Sequence, residues 1–145
     1  MTREAFRVRP LDRDAWPDFA ALIERHQDVV GGCWCMPSGE KGGEHASLVY
    51  DGSRCVGWCR FGPTAEPPAV GRWRVICFFV DRAHRHRGVA SAALDGALDE
   101  IARLGGGTVE SYPEDTEVAL FERHGFERTR RIGGHHWVVT RTVPG

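Results

Sequence analysis

Long apolar runs are missing from this 145-residue chain. The longest wholly apolar stretch, residues 75–80, falls far short of the ~20 residues that a membrane-spanning helix requires. The opening Met1-Thr2-Arg3-Glu4 also lacks the apolar segment of a signal peptide. Both absences point to a cytoplasmic protein with no membrane partner. Net charge is nearly absent: 19 basic residues against 20 acidic leave −1, which argues against a nucleic-acid partner. Lysine is almost wanting, with Lys41 alone among the basic residues, a skew that carries no chemistry by itself. Cysteines are few and odd in number: Cys33, Cys35, Cys55, Cys59 and Cys77. Without an export signal they do not form a disulfide framework. Cys33-x-Cys35 lacks a second ligand pair for zinc. The expectation is buried or loop thiols packing as small hydrophobes, with no metal. What is present, 41% hydrophobic and 27% charged residues, fits one ordinary folded domain over residues 1–145. Monomer and homodimer both stay open.

Periodicity and turn signals divide the chain. Residues 6–9 alternate apolar and basic, the period of a half-exposed strand. Trp16, Phe19, Leu22, Ile23 and His26 then form an apolar stripe at helical spacing, with Asp12 or Asp14 as cap. Residues 31–45 hold five glycines, one proline and the cluster Cys33-Trp34-Cys35-Met36. That is a loop, either a binding lid or a cover for one end of the core. Asp51-Gly52 between the apolar runs 46–50 and 54–61 predicts a hairpin. A second loop, residues 62–71, carries three prolines. Residues 73–80 read as a central strand apolar on both faces, and residues 89–104 as the clearest helix, ended by Gly105-Gly106-Gly107. Gly96 inside it costs about 1 kcal/mol relative to alanine, so close packing on the sheet is its expected reason. A strand at 108–112, a short helix from Asp115 or Thr116, and strands at 126–132 and 136–143 complete the order β α β β β α β α β β. The economical packing is α/β: a mixed sheet with helices on both faces.

The segment that carries chemistry is Val80-Asp81-Arg82-Ala83-His84-Arg85-His86-Arg87-Gly88-Val89-Ala90-Ser91. A buried strand enters a basic turn and then a long helix. The first amides of a helix lack internal partners, and the helix dipole favours an anion there. Gly88 lets backbone approach a phosphate, Ala90 is small for the same reason, and Arg85 and Arg87 add charge. The bland alternative is an ordinary strand-to-helix glycine among solvated arginines.

At these residues the sequence resembles the GNAT acetyltransferase superfamily, whose pyrophosphate motif is Arg/Gln-x-x-Gly-x-Gly/Ala; Arg85-His86-Arg87-Gly88-Val89-Ala90 matches it. Phe121-Glu122-Arg123-His124-Gly125-Phe126 matches a second family signature, aromatic-x-x-x-Gly-Phe. The Cys33-Trp34-Cys35-Met36 stretch resembles a segment of an uncharacterised subgroup. The resemblance implies the GNAT fold, a twisted mixed sheet of six to seven strands flanked by helices. It also implies acetyl-CoA as co-substrate. Its pantetheine arm would pair with Phe78, Phe79 and Val80. Its pyrophosphate would meet the amides of Arg85, His86, Arg87, Gly88, Val89, Ala90 and Ser91. Phe121 would pack near the thioester end.

Acetyl transfer needs a neutral amine, so a base helps at pH 7. Where the family often holds a glutamate base, residue 74 is arginine, which stays protonated; where it often holds a tyrosine acid, residue 121 is phenylalanine. Glu110, two residues before Tyr112 on one strand and hence on one face, is the substitute base, with Tyr112 its partner; the competing reading is a solvated carboxylate beside a packing ring. His84 and His86 are expected on the surface, and Arg74 and Arg60 are candidates for orienting an acidic acceptor. The leading expectation is an acetyl-CoA-dependent N-acetyltransferase acting on a primary amine of a small molecule or protein. The alternative is an acyl-CoA-binding module with little or no transferase activity. A thiol-redox or metal protein built on Cys33 and Cys35 comes third.

Overall fold

The computed structural model describes residues 6–11, 14–25, 45–63, 72–84 and 88–145. Cys33-Trp34-Cys35-Met36, most of the proline-rich loop, and Arg85, His86 and Arg87 lie outside the described residues. Among those described are seven strands: β1 (Arg7–Pro10), β2 (His45–Asp51), β3 (Arg54–Pro63), β4 (Arg72–Val80), β5 (Gly107–Ser111), β6 (Glu127–Ile132) and β7 (His136–Val143). Three α-helices accompany them: α1 (Trp16–Arg25), α2 (Val89–Arg103) and α3 (Val118–Arg123). The strands form one sheet in the order β1-β2-β3-β4-β5-β7-β6. β4 and β5 are parallel, while β1 with β2, β5 with β7 and β6 with β7 are antiparallel. A parallel pair needs a long crossover, and α2 lies in the chain between β4 and β5. The expected mixed α/β architecture is what is observed. The chain groups into two compact units, Met1–Arg60 with Cys77–Ala97, and Phe61–Ile76 with Leu98–Gly145.

In the first unit β2 is buried along Ala46, Ser47, Leu48, Val49 and Tyr50 without alternation. Both its faces are covered. Ala46, Leu48 and Tyr50 share a cluster with Ala15 and with Leu22 of α1. On the other face Gly96 of α2 lies against Ser47 and Val8 so closely that a Cβ there would overlap both side chains. The glycine in the middle of a good helix is thus explained by the sheet beneath it. Tyr50 donates its hydroxyl to Asp18 Oδ2 at 2.7 Å; burial and this bond push its phenol well above the ordinary value.

In the second unit β5 alternates. Val109 and Ser111 point into the core, where Ser111 Oγ donates to Val75 O at 2.9 Å. The Trp73 indole N–H donates to Gly106 O at 3.2 Å. α2 ends as the triple glycine predicts, with Gly106 N–H wrapping back to Ile101 O at 2.8 Å. The strand order places β7 between β5 and β6. β6 is therefore an edge; it is exposed along most of its length and carries Arg128, Arg130 and Arg131, charges that discourage pairing with another chain.

Candidate active site

In the first unit the site grows from the end of β4. Phe78, Phe79 and Val80 are half-buried, although β4 is the middle strand of the sheet. Phe79 stacks on Trp58 with ring centroids 6.0 Å apart. Immediately after, Asp81 N–H donates to Val56 O at 2.7 Å, tying the strand end to β3. Gly57 lies beside this point. A Cβ there would sit 2.5 Å from Val89 Cγ1 and 2.8 Å from Phe79 O. β3 therefore brings the end of β4 and the first residue of α2 together, and glycine is what lets it approach.

The turn between them holds a cluster that sequence reading missed. Asp81 is buried, and its Oδ2 lies 3.2 Å from His84 Nδ1 and 4.0 Å from Arg54 Nε. His84 Nε2 meets Asp51 Oδ2 at 3.0 Å. The ring thus bridges a buried carboxylate, Asp81, and an exposed one, Asp51. His84 was expected on the surface, and this is a correction: its side chain is only 12% exposed. The spacing of Asp81 and His84 was a usable signal. Asp51, thirty-three residues before His84, was not.

Beyond the turn Gly88 adopts φ +88°, and among the described residues nothing lies within 4 Å of where a Cβ would stand. The bonding of α2 opens with Ala92 N–H to Gly88 O at 3.0 Å. Val89 is buried; Ala90 and Ser91 are half-buried. Arg85, His86 and Arg87, the remainder of the expected phosphate turn, lie outside the described residues.

In the second unit the structure brings Glu110 and Tyr112 together. Tyr112 follows the last residue of β5, and its hydroxyl donates to Glu110 Oε2 at 2.7 Å. Arg72 Nη2 approaches Glu110 Oε1 at 3.4 Å. Arg74, in register with Glu110 across β4 and β5, lays its guanidinium over the Tyr112 ring, 4.3 Å from the centroid. The bond to Glu110, then burial and the Glu110 charge, raise the Tyr112 phenol, while Arg74 and Arg130 pull the other way. Tyr112 is thus held as a neutral donor. Glu110 is a carboxylate with both oxygens in contact, its side chain 16% exposed. Phe121 of α3 is buried, its ring edge-on to Phe126 at 5.2 Å.

Cys55 and Cys59 are buried, and burial pushes the Cys59 thiol far up. Among the described residues there is no group of three or more His, Cys, Asp or Glu that could hold a metal ion, and no helix is long and apolar enough to cross a membrane.

Comparison with known proteins follows the same lines. The family described as Acetyltransferase (GNAT) matches residues 3–126. No match is found among curated proteins. Solved structures do match, at low identity. The ribosomal-protein-S18-alanine N-acetyltransferase from Escherichia coli is 14% identical, with TM-score 0.73 over 97% of this chain and 96% of its own. The GNAT domain of S. lividans PAT is 19% identical, with TM-score 0.68 over 94% and 90%. Arabidopsis thaliana NAA60, solved in complex with acetyl-CoA, is 14% identical, with TM-score 0.68 over 96% and 99%. At such identities the likeness is one of fold.

Proposed function

The chain belongs to the acetyltransferase (GNAT) family, and from that premise we propose that it moves the acetyl group of acetyl-CoA onto a primary amine of a small molecule or protein. One observation carries the reading. The middle strand of the sheet runs through a half-buried Phe78-Phe79-Val80 to a helix start at Gly88, whose φ is positive and whose Cβ position no described residue fills. Gly88, Val89, Ala90 and Ser91, with Arg85, His86 and Arg87, are the proposed pyrophosphate cradle. Phe78, Phe79 and Val80 are the proposed backbone partners of the pantetheine arm. Phe121, with its ring in the core, is proposed to back the thioester end. Residues 1–145 are read as one domain, cytoplasmic, with no metal.

The chemistry asks for two proton movements. The amine loses a proton and attacks the thioester carbonyl; the C–N bond forms, the C–S bond breaks, and CoA departs as a thiolate that takes up a proton. Glu110 is the proposed base, directly or through a water. Tyr112, already donating to Glu110, is the proposed acid. A phenol raised above its ordinary ~10 is a poor donor to a thiolate near ~8.5 by itself. Transfer from Tyr112 is therefore coupled to refilling from Glu110, which carries the amine's proton. Release of free CoA thiol, measured against a panel of amines, tests the reading. Acetyl-CoA that binds and raises the melting temperature without releasing thiol to any amine would favour the acyl-CoA-binding alternative, to which Arg74 and Phe121 lend support.

A further inference from the structure

The polar face of the second unit holds more positive charge than proton transfer uses. Arg72 and Arg74 stand on β4 beside Glu110 on β5. Arg130 reaches the same face through an irregularity in β6. The register of β6 on β7 shifts between Arg128, opposite Val139, and Arg130, opposite Val138. Val138 lies two residues from Thr140, the partner of Glu110, so Arg130 shares the face of Glu110. In a regular ladder Thr129 would stand opposite Val138, and Arg130 would point to the other side. The shift thus brings a guanidinium to this face, where its charge acts on Tyr112.

Two guanidiniums, Arg72 and Arg74, therefore stand beside one carboxylate, while Arg130 and the acidic Glu127 both lie two strands away on β6. Arg72 is engaged with Glu110. Among the described residues neither Arg74 nor Arg130 is paired with a carboxylate. The Arg74 guanidinium carbon is held over the Tyr112 ring, 4.3 Å from its centroid. A cation–π contact of this kind restrains the guanidinium without using up its N–H donors, the fork that suits a carboxylate.

We propose that Arg74, assisted by Arg130, binds a carboxylate of the acceptor, so that the amine acetylated by this protein belongs to an acidic, carboxylate-bearing molecule. A polyamine or a lysine-rich peptide would bring like charge against this face. A molecule with its amine near Glu110 and its carboxylate on Arg74 meets an opposite charge at each end. The inference rests on the transferase reading for its kinetic arm and is independent of it for its binding arm.

The test uses four acceptors: L-glutamate, its diamide, a peptide with a free N-terminus followed by glutamates, and spermidine. Wild-type protein should prefer one of the two acidic acceptors over the diamide and spermidine, and which acidic one is preferred separates a free amino acid from a chain terminus. Arg74→Met should raise KM for the preferred acceptor by about 10- to 100-fold, the value of a charge-assisted bond. It should also draw the preference for the acidic acceptor over the diamide towards unity, and Arg74→Lys should fall between. Equal losses for the acidic acceptor and the diamide would mean that Arg74 acts only through Tyr112, and would overturn the proposal. So would a wild-type preference for spermidine. If no amine is acetylated, the transferase reading fails, and an NMR titration of L-glutamate still decides this one. Saturable binding lost in Arg74→Met supports a carboxylate site; no binding to wild type overturns it.

Discussion

Replacing Gly57 with alanine would place a methyl carbon 2.5 Å from Val89 Cγ1 and 2.8 Å from Phe79 O. Both contacts lie well inside van der Waals distance, and one involves backbone, which cannot rotate away. Val89 is buried and β-branched, so its methyl has few alternative rotamers. Overpacking of this kind costs about 1–3 kcal/mol, and alanine in a strand recovers about 0.5–1 kcal/mol relative to glycine. The net expectation is a loss of about 1–2 kcal/mol, or roughly 3–8 °C in Tm for a chain of this size. The displaced groups are also those assigned to acetyl-CoA. A retreat of Phe79 O should weaken one backbone hydrogen bond to pantetheine, worth about 1 kcal/mol or roughly fivefold in Kd. Urea unfolding and calorimetric CoA titration measure the two effects. Val89→Ala supplies the internal control, since it relieves the side-chain overlap and leaves the carbonyl overlap in place. Its cost should be smaller in the Gly57→Ala background, with a coupling of at least ~0.5 kcal/mol. Wild-type stability and CoA affinity in Gly57→Ala, or costs that simply add, would refute the account of why β3 carries glycine here.

Gly88→Ala and Gly88→Val should both fold, because no described residue stands within 4 Å of the Cβ position, at a cost of about 1–2 kcal/mol for the left-handed φ; the valine should abolish the CoA-induced rise in Tm. Glu110→Gln should lower turnover by roughly 10²–10⁴ with little change in CoA affinity, and the deficit should shrink as rising pH deprotonates the amine unaided. Tyr112→Phe should slow turnover as well, whereas a mere packing ring would leave it unchanged. The chain has two tyrosines, Tyr50 and Tyr112, and both phenols are raised in the folded protein. The stability they contribute is complete below the unfolded value near ~10 and is lost as pH climbs through the folded values. Tyrosinate absorbance should therefore appear together with alkaline unfolding; early ionisation of either in the native state contradicts the geometry. Cys55 and Cys59 should resist a thiol reagent until the protein unfolds, since both are buried.

The legible parts of the fold were those written in local patterns. Seven apolar residues at helical spacing followed by three glycines announce α2, and Asp51-Gly52 announces the β2–β3 hairpin. The Glu110 and Tyr112 pairing was also readable, because two residues along a strand share a face whatever lies around them. Reading failed where contacts join distant segments without a periodic trace. Asp51 comes to His84 from the far end of a hairpin, and nothing in the residues near position 84 names it. The register shift in β6 is equally silent: Glu-Arg-Thr-Arg-Arg-Ile has no glycine or proline to mark it. Arg74 is no base on its own chemistry, but its seat on the Tyr112 ring depends on the parallel pairing of β4 with β5. The local pattern of β4 does not name that neighbour.

The insertion of β7 between β5 and β6 has a consequence for synthesis on the ribosome. β7 is the last of the seven strands to be made, yet it is an inner one, pairing with β5 on one side and β6 on the other. Until residues 136–143 emerge, β5 has an open edge towards the solvent and β6 has no neighbour at all. A nascent chain can assemble β1, β2, α1 and β3 early, in the usual N-to-C order, while the strand bearing Glu110 waits half-paired. A premature stop after β6 would leave a β5 edge able to pair with strands of other chains. Residues 136–143 thus decide whether the edge of the Glu110 strand is paired within the sheet or offered to aggregation.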